Sequence, residues 1–382
     1  MILYYEIQVK MKNSKLFLAA VILLSSYACK KQNPIAITPT LPPVVTDTTT
    51  LKGVATFKIG AAIDVYRLQT DPLYKNTLLY QQSSITIENA VKWTTVHPSQ
   101  NSFNFSGGDY ITDFCMANNK RLHGHCLIWY TANPDWLNKF TGDSLAWENL
   151  FKTHIQTVVA HYKGKATSWD VVNEAFHDED GTLRVQDIKP GDNFDDGCIW
   201  ARHIGVDYIA RAFLYAHEKD PDALLFYNEY GQEWSDAKTT SIINMVNDFK
   251  ARGIPISGLG LQMHIDINAS NDGIVKAIQK LAATGLLIHI SELDVSVNPS
   301  NNQALTFSTD LQKKQADKYA FLATQYKTLV PKAQQYGITT WNVGDKDSWI
   351  RTYIKHNDWP LLFDDNYARK TCYFSFRDAV KN

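Results

Sequence analysis

The sequence has almost no net charge and no cluster of basic residues, which limits the partners of the folded chain. Its 38 basic and 39 acidic residues leave a net charge of -1, and no run of Lys or Arg stands out. Nucleic acids and anionic surfaces attract proteins mainly through excess positive charge. We therefore expect no nucleic acid partner.

Cysteines are also few, and their spacing argues against a zinc site. The five cysteines form no CxxC pair, whereas structural zinc sites commonly contain such pairs. We expect neither a metal nor a cofactor. Past Cys29, the side chains of Cys115, Cys126, Cys198 and Cys372 are expected to be buried free thiols, with a disulfide as the alternative.

The N-terminal apolar run is too short to cross a membrane as a stable helix. Leu16–Leu24 follows the basic stretch Met11–Lys15 and precedes the small residues Ser25–Ala28 and then Cys29. This order resembles a bacterial lipoprotein signal over residues 1–29, with lipidated Cys29 as the first mature residue and residues 1–10 as an upstream mis-start. An ordinary secretory signal is the alternative, because Ser26 stands where lipoprotein signals carry an aliphatic residue.

The segment that follows is rich in Thr and Pro, which predicts a flexible tether over residues 30–50. Residues 51–382 would then form one folded domain. These features predict an exported protein that touches the membrane only through its N-terminal lipid, and we expect a monomer. It would be anchored at the bacterial outer membrane or cell surface, or otherwise be secreted or periplasmic.

From Phe57 onwards, short apolar runs alternate with amphipathic helical patterns, as in parallel sheets built from βαβ units. The eight apolar runs are Phe57–Ile63, Ser84–Glu88, Arg121–Trp129, Thr167–Glu174, Ala223–Tyr230, Ile256–Ile265, Leu286–Val295 and Gly337–Gly344. The clearest helical patterns are Trp147–His161, His203–Glu218, Ala237–Ala251, Leu311–Tyr326 and the closing Asn366–Val380. This alternation predicts an α/β fold, a single-domain (β/α)8 TIM barrel. An open doubly wound sheet is the alternative, but Gly60–Asp64 lacks the glycine-rich phosphate fingerprint of that fold.

Polar residues fall at the ends of the predicted strands, where a barrel of this type carries its chemistry. The fourth run ends in Asn173 and Glu174, and the seventh contains Glu292 and Asp294. An ionised Glu at the end of a buried strand must be paired, exposed or functional. Two such carboxylates can hydrolyse a glycosidic bond, one by protonating the leaving oxygen and the other by attacking the sugar. The ten Trp residues suit stacking on sugar rings, although a large aromatic core would explain them equally well.

A series of motifs lies along the predicted strands and the loops after them. They are Glu88–Trp93, Pro98–Gln100, Phe103–Phe105, His123–Trp129, Trp169–Ala175, Gly260–His264, Ser291–Val295, Thr340–Trp341, Asp347–Trp349 and Pro360–Asp364. In this order they resemble glycoside hydrolase family 10, the retaining endo-β-1,4-xylanases. The resemblance runs from about Phe57 to Phe376 and implies metal-independent, endo-acting hydrolysis of xylan, with the polysaccharide as the partner.

The resemblance implies that Glu174 is the general acid/base and Glu292 the nucleophile, with carboxyl groups about 5–5.5 Å apart. Glu292 and Asp294 share one face of a strand, so His264 on the neighbouring strand can bridge them. In the family, the residue matching Asn173 contacts the 2-hydroxyl of the sugar. Asn173 and Glu174 alternate in an ideal strand, so the strand end must twist or bulge if both reach the substrate.

Other positions match family residues that bind sugar. They are Glu88, Asn89, Lys92, His125, Trp129 and Gln262, with Trp341 and Trp349 as aromatic walls and Tyr230 near the scissile bond. Taken alone, several have a simpler explanation, since Lys92 reads as a surface charge and His264 as a core histidine. The chain also departs from the family pattern. Tyr130 and Ala132 stand where His and Gln are common, Glu229 replaces an Asp, and Asn342 replaces a Gly.

Two other functions remain open at this point. A non-catalytic xylan-capture lipoprotein would be expected to lose one carboxylate, and both are present. A barrel hydrolase acting on β-glucan or mannan would also have an aromatic-rich cleft, and only the matches at Glu88, Asn89 and Lys92 favour xylan.

Overall fold

The chain folds into a parallel β-barrel surrounded by helices. The computed structural model describes residues 49–188 and 195–381. The predicted signal peptide, the lipidation site Cys29 and most of the predicted tether lie outside these ranges. Within the ranges, no helix is both long and apolar enough to cross a lipid bilayer.

The strands of the described chain are parallel and close on themselves. They are β1 (Lys58–Ile63), β2 (Ser84–Ile87), β3 (Arg121–Trp129), β4 (Ser168–Asn173), β5 (Leu224–Glu229), β6 (Gly258–Leu261), β7 (His264–Asp266), β8 (Leu287–Ser296) and β9 (Gln335–Thr340). They lie in the order β6-β5-β4-β3-β2-β1-β9-β8-β7, and pairing of β6 with β8 closes the ring. This architecture confirms the predicted TIM barrel, with β6 and β7 together occupying one strand position.

Helices lie between the strands and cover the outside of the barrel. They are α1 (Leu51–Val54), α2 (Val65–Thr70), α3 (Pro72–Gln81), α4 (Trp93–Val96), α5 (Ser106–Ala117), α6 (Asp135–Asn138), α7 (Ser144–Tyr162), α8 (Ile199–Ile204), α9 (Tyr208–Lys219), α10 (Asp236–Arg252), α11 (Asn271–Ala282), α12 (Thr309–Leu329), α13 (Trp349–Thr352) and α14 (Thr371–Val380). The three longest, α7, α10 and α12, start at side-chain caps. In α7, for example, Asp143 Oδ1 accepts a hydrogen bond from the backbone N–H of Ala146 at 2.9 Å.

The sixth predicted strand is interrupted, and the break shapes the rim of the barrel. The apolar run Ile256–Ile265 predicts one strand, but the structure has β6 and β7 separated at Gln262 and Met263. Met263 has φ +57°, a left-handed conformation that ends regular strand geometry. As a result, Gln262 and His264 both lie at the rim that carries the carboxylates.

Three other boundaries differ from the sequence prediction. The helix predicted over His203–Glu218 is two helices, α8 and α9, because Gly205 at φ +82° ends the first. The last strand ends at Thr340, so Trp341 follows it rather than lying on it, and the closing helix begins only at Thr371. The spacing of apolar residues does not reveal where such turns interrupt a helix or strand, which explains these errors.

The core is continuous from the barrel interior to the helices. Every position of β4 is buried, since one face points into the barrel and the other meets the helices. The cysteines of the described chain past Cys29, namely Cys115, Cys126, Cys198 and Cys372, are buried free thiols, as the sequence predicts.

Candidate active site

The side chains singled out in the sequence meet at one end of the barrel, where the parallel strands have their carboxyl ends. β4 ends at Asn173, immediately before Glu174. Glu292 and Asp294 lie within the second half of β8, and His264 begins β7. Because the strands are parallel, and β7 pairs with β8 so that His264 lies opposite Asp294, these residues lie at one rim of the barrel.

Glu174 turns toward the site through a left-handed backbone. Its φ is +56°, which is uncommon for a non-glycine residue and costs roughly 1–3 kcal/mol. The turn places its carboxyl group on the same side as Asn173, whose Nδ2 donates to Glu174 Oε1 at 3.0 Å. The twist that the alternation of strand side chains requires is therefore present at this residue.

Two more neutral donors hold the Glu174 carboxyl group. Trp129 Nε1 donates to Oε2 at 2.8 Å, and Gln262 Nε2 donates to Oε1 at 2.8 Å. Burial raises the pKa of Glu174, and the nearby carboxylates of Glu229 and Glu292 raise it further. These effects outweigh the hydrogen bonds from Gln262 and Trp129, which favour the ionised form, so the pKa is shifted in the direction that a general acid requires.

Glu292 has partners of a different kind. Its Oε1 accepts a hydrogen bond from Asn228 Nδ2 at 2.6 Å, and its Oε2 lies 3.2 Å from His264 Nε2. Burial opposes ionisation, but the electrostatic influence of His125, 4.0 Å from Oε1, and the contact with His264 outweigh it and lower the pKa of Glu292. A carboxylate that stays ionised can act as a nucleophile.

His264 bridges two carboxylates, as the strand spacing predicts. Its Nδ1 lies 2.8 Å from Asp294 Oδ2, opposite the contact to Glu292. Burial alone would lower the pKa of His264, but Asp294 and Glu292 raise it to about 10. Trp349 Nε1 also donates to Asp294 Oδ2 at 2.8 Å. The imidazolium is thus fixed between the two acidic side chains.

Asn228 joins the two glutamates, and the sequence analysis did not include it among the site residues. Its Nδ2 donates both to Glu292 and, at 2.8 Å, to Asn173 Oδ1, while its Oδ1 accepts from Ser291 Oγ at 2.6 Å. Asn173 in turn holds Glu174. The position of Asn228 at the end of β5 is the signal that could have identified it.

A second group of predicted residues forms the adjoining wall. Lys92 Nζ donates to Asn89 Oδ1 at 3.0 Å and lies 5.0 Å from the ring centre of Trp129 and 5.7 Å from that of Trp341. His125 packs edge-on against Trp341, with ring centres 5.0 Å apart. Lys92 is therefore a wall residue between aromatic rings rather than a solvated surface charge.

Glu88 and Asn342 belong to the same wall. Asn342 Nδ2 donates to Glu88 Oε2 at 2.7 Å, and Asn342 Oδ1 accepts from the backbone N–H of Trp349 at 3.2 Å. Asn342 has φ +85°, a conformation in which glycine is common. The substitution seen in the sequence thus keeps the backbone turn and adds a side chain that orients Glu88 and the Trp349 loop.

Tyr230 directly follows β5 and is tied to the loop after β4. Its hydroxyl donates to Asp178 Oδ2 at 2.9 Å, and Arg184 Nη2 donates to that hydroxyl at 3.3 Å. Asp178 also accepts from Lys238 Nζ at 2.7 Å. Asp178 is therefore half-buried and held by Tyr230, Lys238 and Arg184. Within the described ranges, no group of three or more His, Cys, Asp or Glu side chains could hold a metal ion.

Comparison with known proteins gives relatives along most of the chain. The family model described as glycosyl hydrolase family 10 matches residues 49–379. Endo-1,4-beta-xylanase B of Thermotoga neapolitana is 35% identical over 301 residues, which are 78% of this chain and 80% of the relative.

Solved structures agree in fold. Native xylanase 10C of Cellvibrio japonicus has a TM-score of 0.80 at 33% identity. The alignment covers 87% of this chain and 72% of the chain of that xylanase. Xylanase 10B of Thermotoga petrophila, solved with xylobiose, has a TM-score of 0.77 at 32% identity. That alignment covers 87% of this chain and 97% of the chain of the Thermotoga petrophila xylanase. The match to the family model over nearly all described residues, on a barrel that carries the two glutamates at its rim, shows that this chain belongs to glycosyl hydrolase family 10.

Proposed function

We propose that the protein is a retaining endo-1,4-β-xylanase, with Glu174 as general acid/base and Glu292 as nucleophile. The observation that carries the proposal is the opposite tuning of two equally buried carboxyl groups: the pKa of Glu174 is raised and that of Glu292 is lowered. Two carboxyl groups whose pKa values are shifted in opposite directions are what double displacement at a sugar requires.

In the first step, Glu292 attacks the anomeric carbon while Glu174 passes its proton to the leaving oxygen. The bond between the sugar and Glu292 forms as the glycosidic bond breaks. In the second step, Glu174 takes a proton from water, which attacks the same carbon and releases Glu292. Asn228 and His264 keep Glu292 oriented, since both contact its carboxylate oxygens. The sugar would lie along Glu88, Asn89, Lys92, Trp341 and Trp349.

The names of the relatives support xylan as the substrate class, and the xylobiose-bound Thermotoga petrophila structure supports xylo-oligosaccharides. A reducing-sugar assay on xylan, carboxymethylcellulose and mannan tests this. We expect product from xylan first. If only carboxymethylcellulose or only mannan gave product, that polymer would replace xylan as the proposed substrate. If none of the three gave product, the result would support a non-catalytic capture protein.

Proton NMR of the first products should show the β-anomer, because two displacements retain configuration.

The location of the protein is part of the same proposal. A basic start, a short apolar run and Cys29 at the end of the signal support export and lipid attachment, with residues 30–50 as a tether. Mass spectrometry of the exported protein and of Cys29→Ser tests this. We expect an N-terminal lipid on the wild type and a soluble, unlipidated Cys29→Ser variant. An unlipidated wild type would favour the ordinary secretory signal. A monomer is expected on size-exclusion chromatography.

A further inference from the structure

The left-handed backbone at Glu174 is held from both sides by side chains that do not touch the reacting groups. On one side, the N–H of Glu174 donates to the carbonyl of Asn228 at 2.9 Å. The next N–H, that of Ala175, donates to the hydroxyl of Tyr227 at 3.0 Å. The direction of the chain just after the acid/base is thus fixed by β5.

Glu229 adds further hydrogen bonds that hold the backbone after Glu174 on the β5 side. Its Oε2 accepts from the Tyr227 hydroxyl at 2.7 Å and from the N–H of Phe176 at 3.4 Å. Its Oε1 accepts from Lys238 Nζ at 3.2 Å, and both side chains of this ion pair are fully buried. A buried carboxylate that is paired and hydrogen-bonded in this way is a rigid anchor.

Arg184 holds the opposite side. Its Nε donates to the carbonyl of Glu174 at 3.2 Å, and its backbone N–H donates to the carbonyl of Ala175 at 2.8 Å. The guanidinium also lies 4.3 Å from the ring centre of Tyr130. The carbonyl and amide groups on both sides of the strained residue are therefore satisfied by fixed partners.

We propose that Tyr227, Glu229 and Arg184 are positioning residues for the general acid, which clamp the left-handed backbone so that the Glu174 carboxyl group points at the leaving oxygen. This inference rests on the proposed function of Glu174. None of the three touches the Glu174 carboxyl group, which is bonded to Trp129, Gln262 and Asn173. Tyr227 and Arg184 would act through the backbone, and Glu229 would act both through the backbone and through its negative charge. Strained backbone persists only where its surroundings hold it, so loosening the clamp should misplace the acid without removing it.

Leaving-group dependence separates this role from a merely structural one. Xylohexaose has a poor leaving group and needs the acid, whereas 2,4-dinitrophenyl β-xylobioside releases its phenolate without protonation. For Tyr227→Phe we expect kcat/KM on xylohexaose to fall about 10-fold or more, in keeping with the large cost of small misplacements. On the dinitrophenyl substrate, kcat/KM should stay close to that of the wild type.

Tyr326→Phe is the matched control. The Tyr326 hydroxyl also accepts from a backbone N–H, that of Gly337 at 2.9 Å, and donates to a carbonyl, that of Ile288 at 2.8 Å, in the buried core. Its loss should lower the thermal midpoint in a similar way while leaving the ratio of the two kcat/KM values unchanged.

Arg184→Lys tests the other side of the clamp and replaces Tyr227→Phe if that variant does not fold. It should shift the same ratio in the same direction. An unchanged ratio in folded Tyr227→Phe or Arg184→Lys, or an equal shift in Tyr326→Phe, would overturn the positioning role. A wild type that is inactive on xylohexaose and xylan would instead overturn the proposed function itself.

Discussion

The two glutamates at the rim have nearly the same burial but opposite electrostatic surroundings. Glu174 is 5% exposed and Glu292 is 4% exposed. Glu174 is held by neutral donors beside a second carboxylate, whereas Glu292 lies beside two histidines. Burial raises the pKa of any carboxyl group, so it cannot produce the difference. The partners that each strand brings to the carboxyl group produce it.

The same contrast appears in the backbone. Glu292 lies within β8, where the pairing with β9 shifts register between Ile290 and Leu293, but Glu174 follows β4 in a left-handed conformation. The nucleophile is therefore placed by the sheet itself. The acid/base is placed by a turn that needs additional contacts, and this predicts different responses to mutation at the two sites.

The largest expected effect is that of Glu292→Ala, which removes the attacking carboxylate. We expect activity on xylan and on 2,4-dinitrophenyl β-xylobioside to fall by roughly 10⁵-fold or more, as for the loss of other catalytic nucleophiles. Azide should restore part of the activity on the dinitrophenyl substrate and give an α-xylobiosyl azide, identified by NMR. Activity close to wild type in this variant would exclude Glu292 as the nucleophile.

Glu174→Ala should have a smaller and more selective effect, because it removes the acid but not the nucleophile. On xylan, kcat/KM should fall by about 10²–10⁴-fold, while kcat/KM on the dinitrophenyl substrate is largely retained. Steady-state kinetics on both substrates measures this. Equal losses on the two substrates would show that the two glutamates do not differ in role.

His264→Gln tests how the surroundings of Glu292 keep the nucleophile ionised. Glu292 is faced by His125, Asp170 and His264, and the cation of His264 favours its ionised form. Removing that cation should raise the pKa of Glu292. Because the nucleophile must be ionised, the acidic limb of the kcat/KM profile should move to higher pH by about 1–3 units. His161→Gln, at a half-buried histidine paired with Asp109, is the control and should leave the profile in place.

Glu229→Gln should give the smallest shift of the pH profile, on the opposite limb, in addition to the loss of kcat/KM on xylohexaose that loosening the clamp causes. Glu229 and Glu292 raise the pKa of Glu174, and Lys238 partly balances Glu229. Removing the charge of Glu229 should lower the pKa of Glu174, so the basic limb of kcat/KM should move to lower pH by less than about 1 unit. Glu218→Gln on the surface is the control. A shift to higher pH would contradict this account of the acid.

Much of the fold and the central pair could be predicted from the sequence. Alternating apolar runs and helical patterns indicate the barrel, and the runs ending near Glu174 and Glu292 indicate the rim. The interruption at Met263 and the break at Gly205 were missed, because a left-handed turn leaves no mark in the periodicity of apolar residues. Arg184 was missed because it lies in a loop after β4, where strand patterns carry no information.

The sequence by itself determined which residue types stand at the strand ends, since parallel strands of similar length bring their carboxyl ends to one rim. Only the tertiary structure decided the opposite pKa shifts of the two glutamates and the contacts that hold the turn at Glu174. Both depend on distances between side chains far apart in the chain, such as Asn228 to Glu292 and Arg184 to Glu174. Electrostatic and hydrogen-bond energies change steeply over an ångström, and only the closed barrel sets those distances.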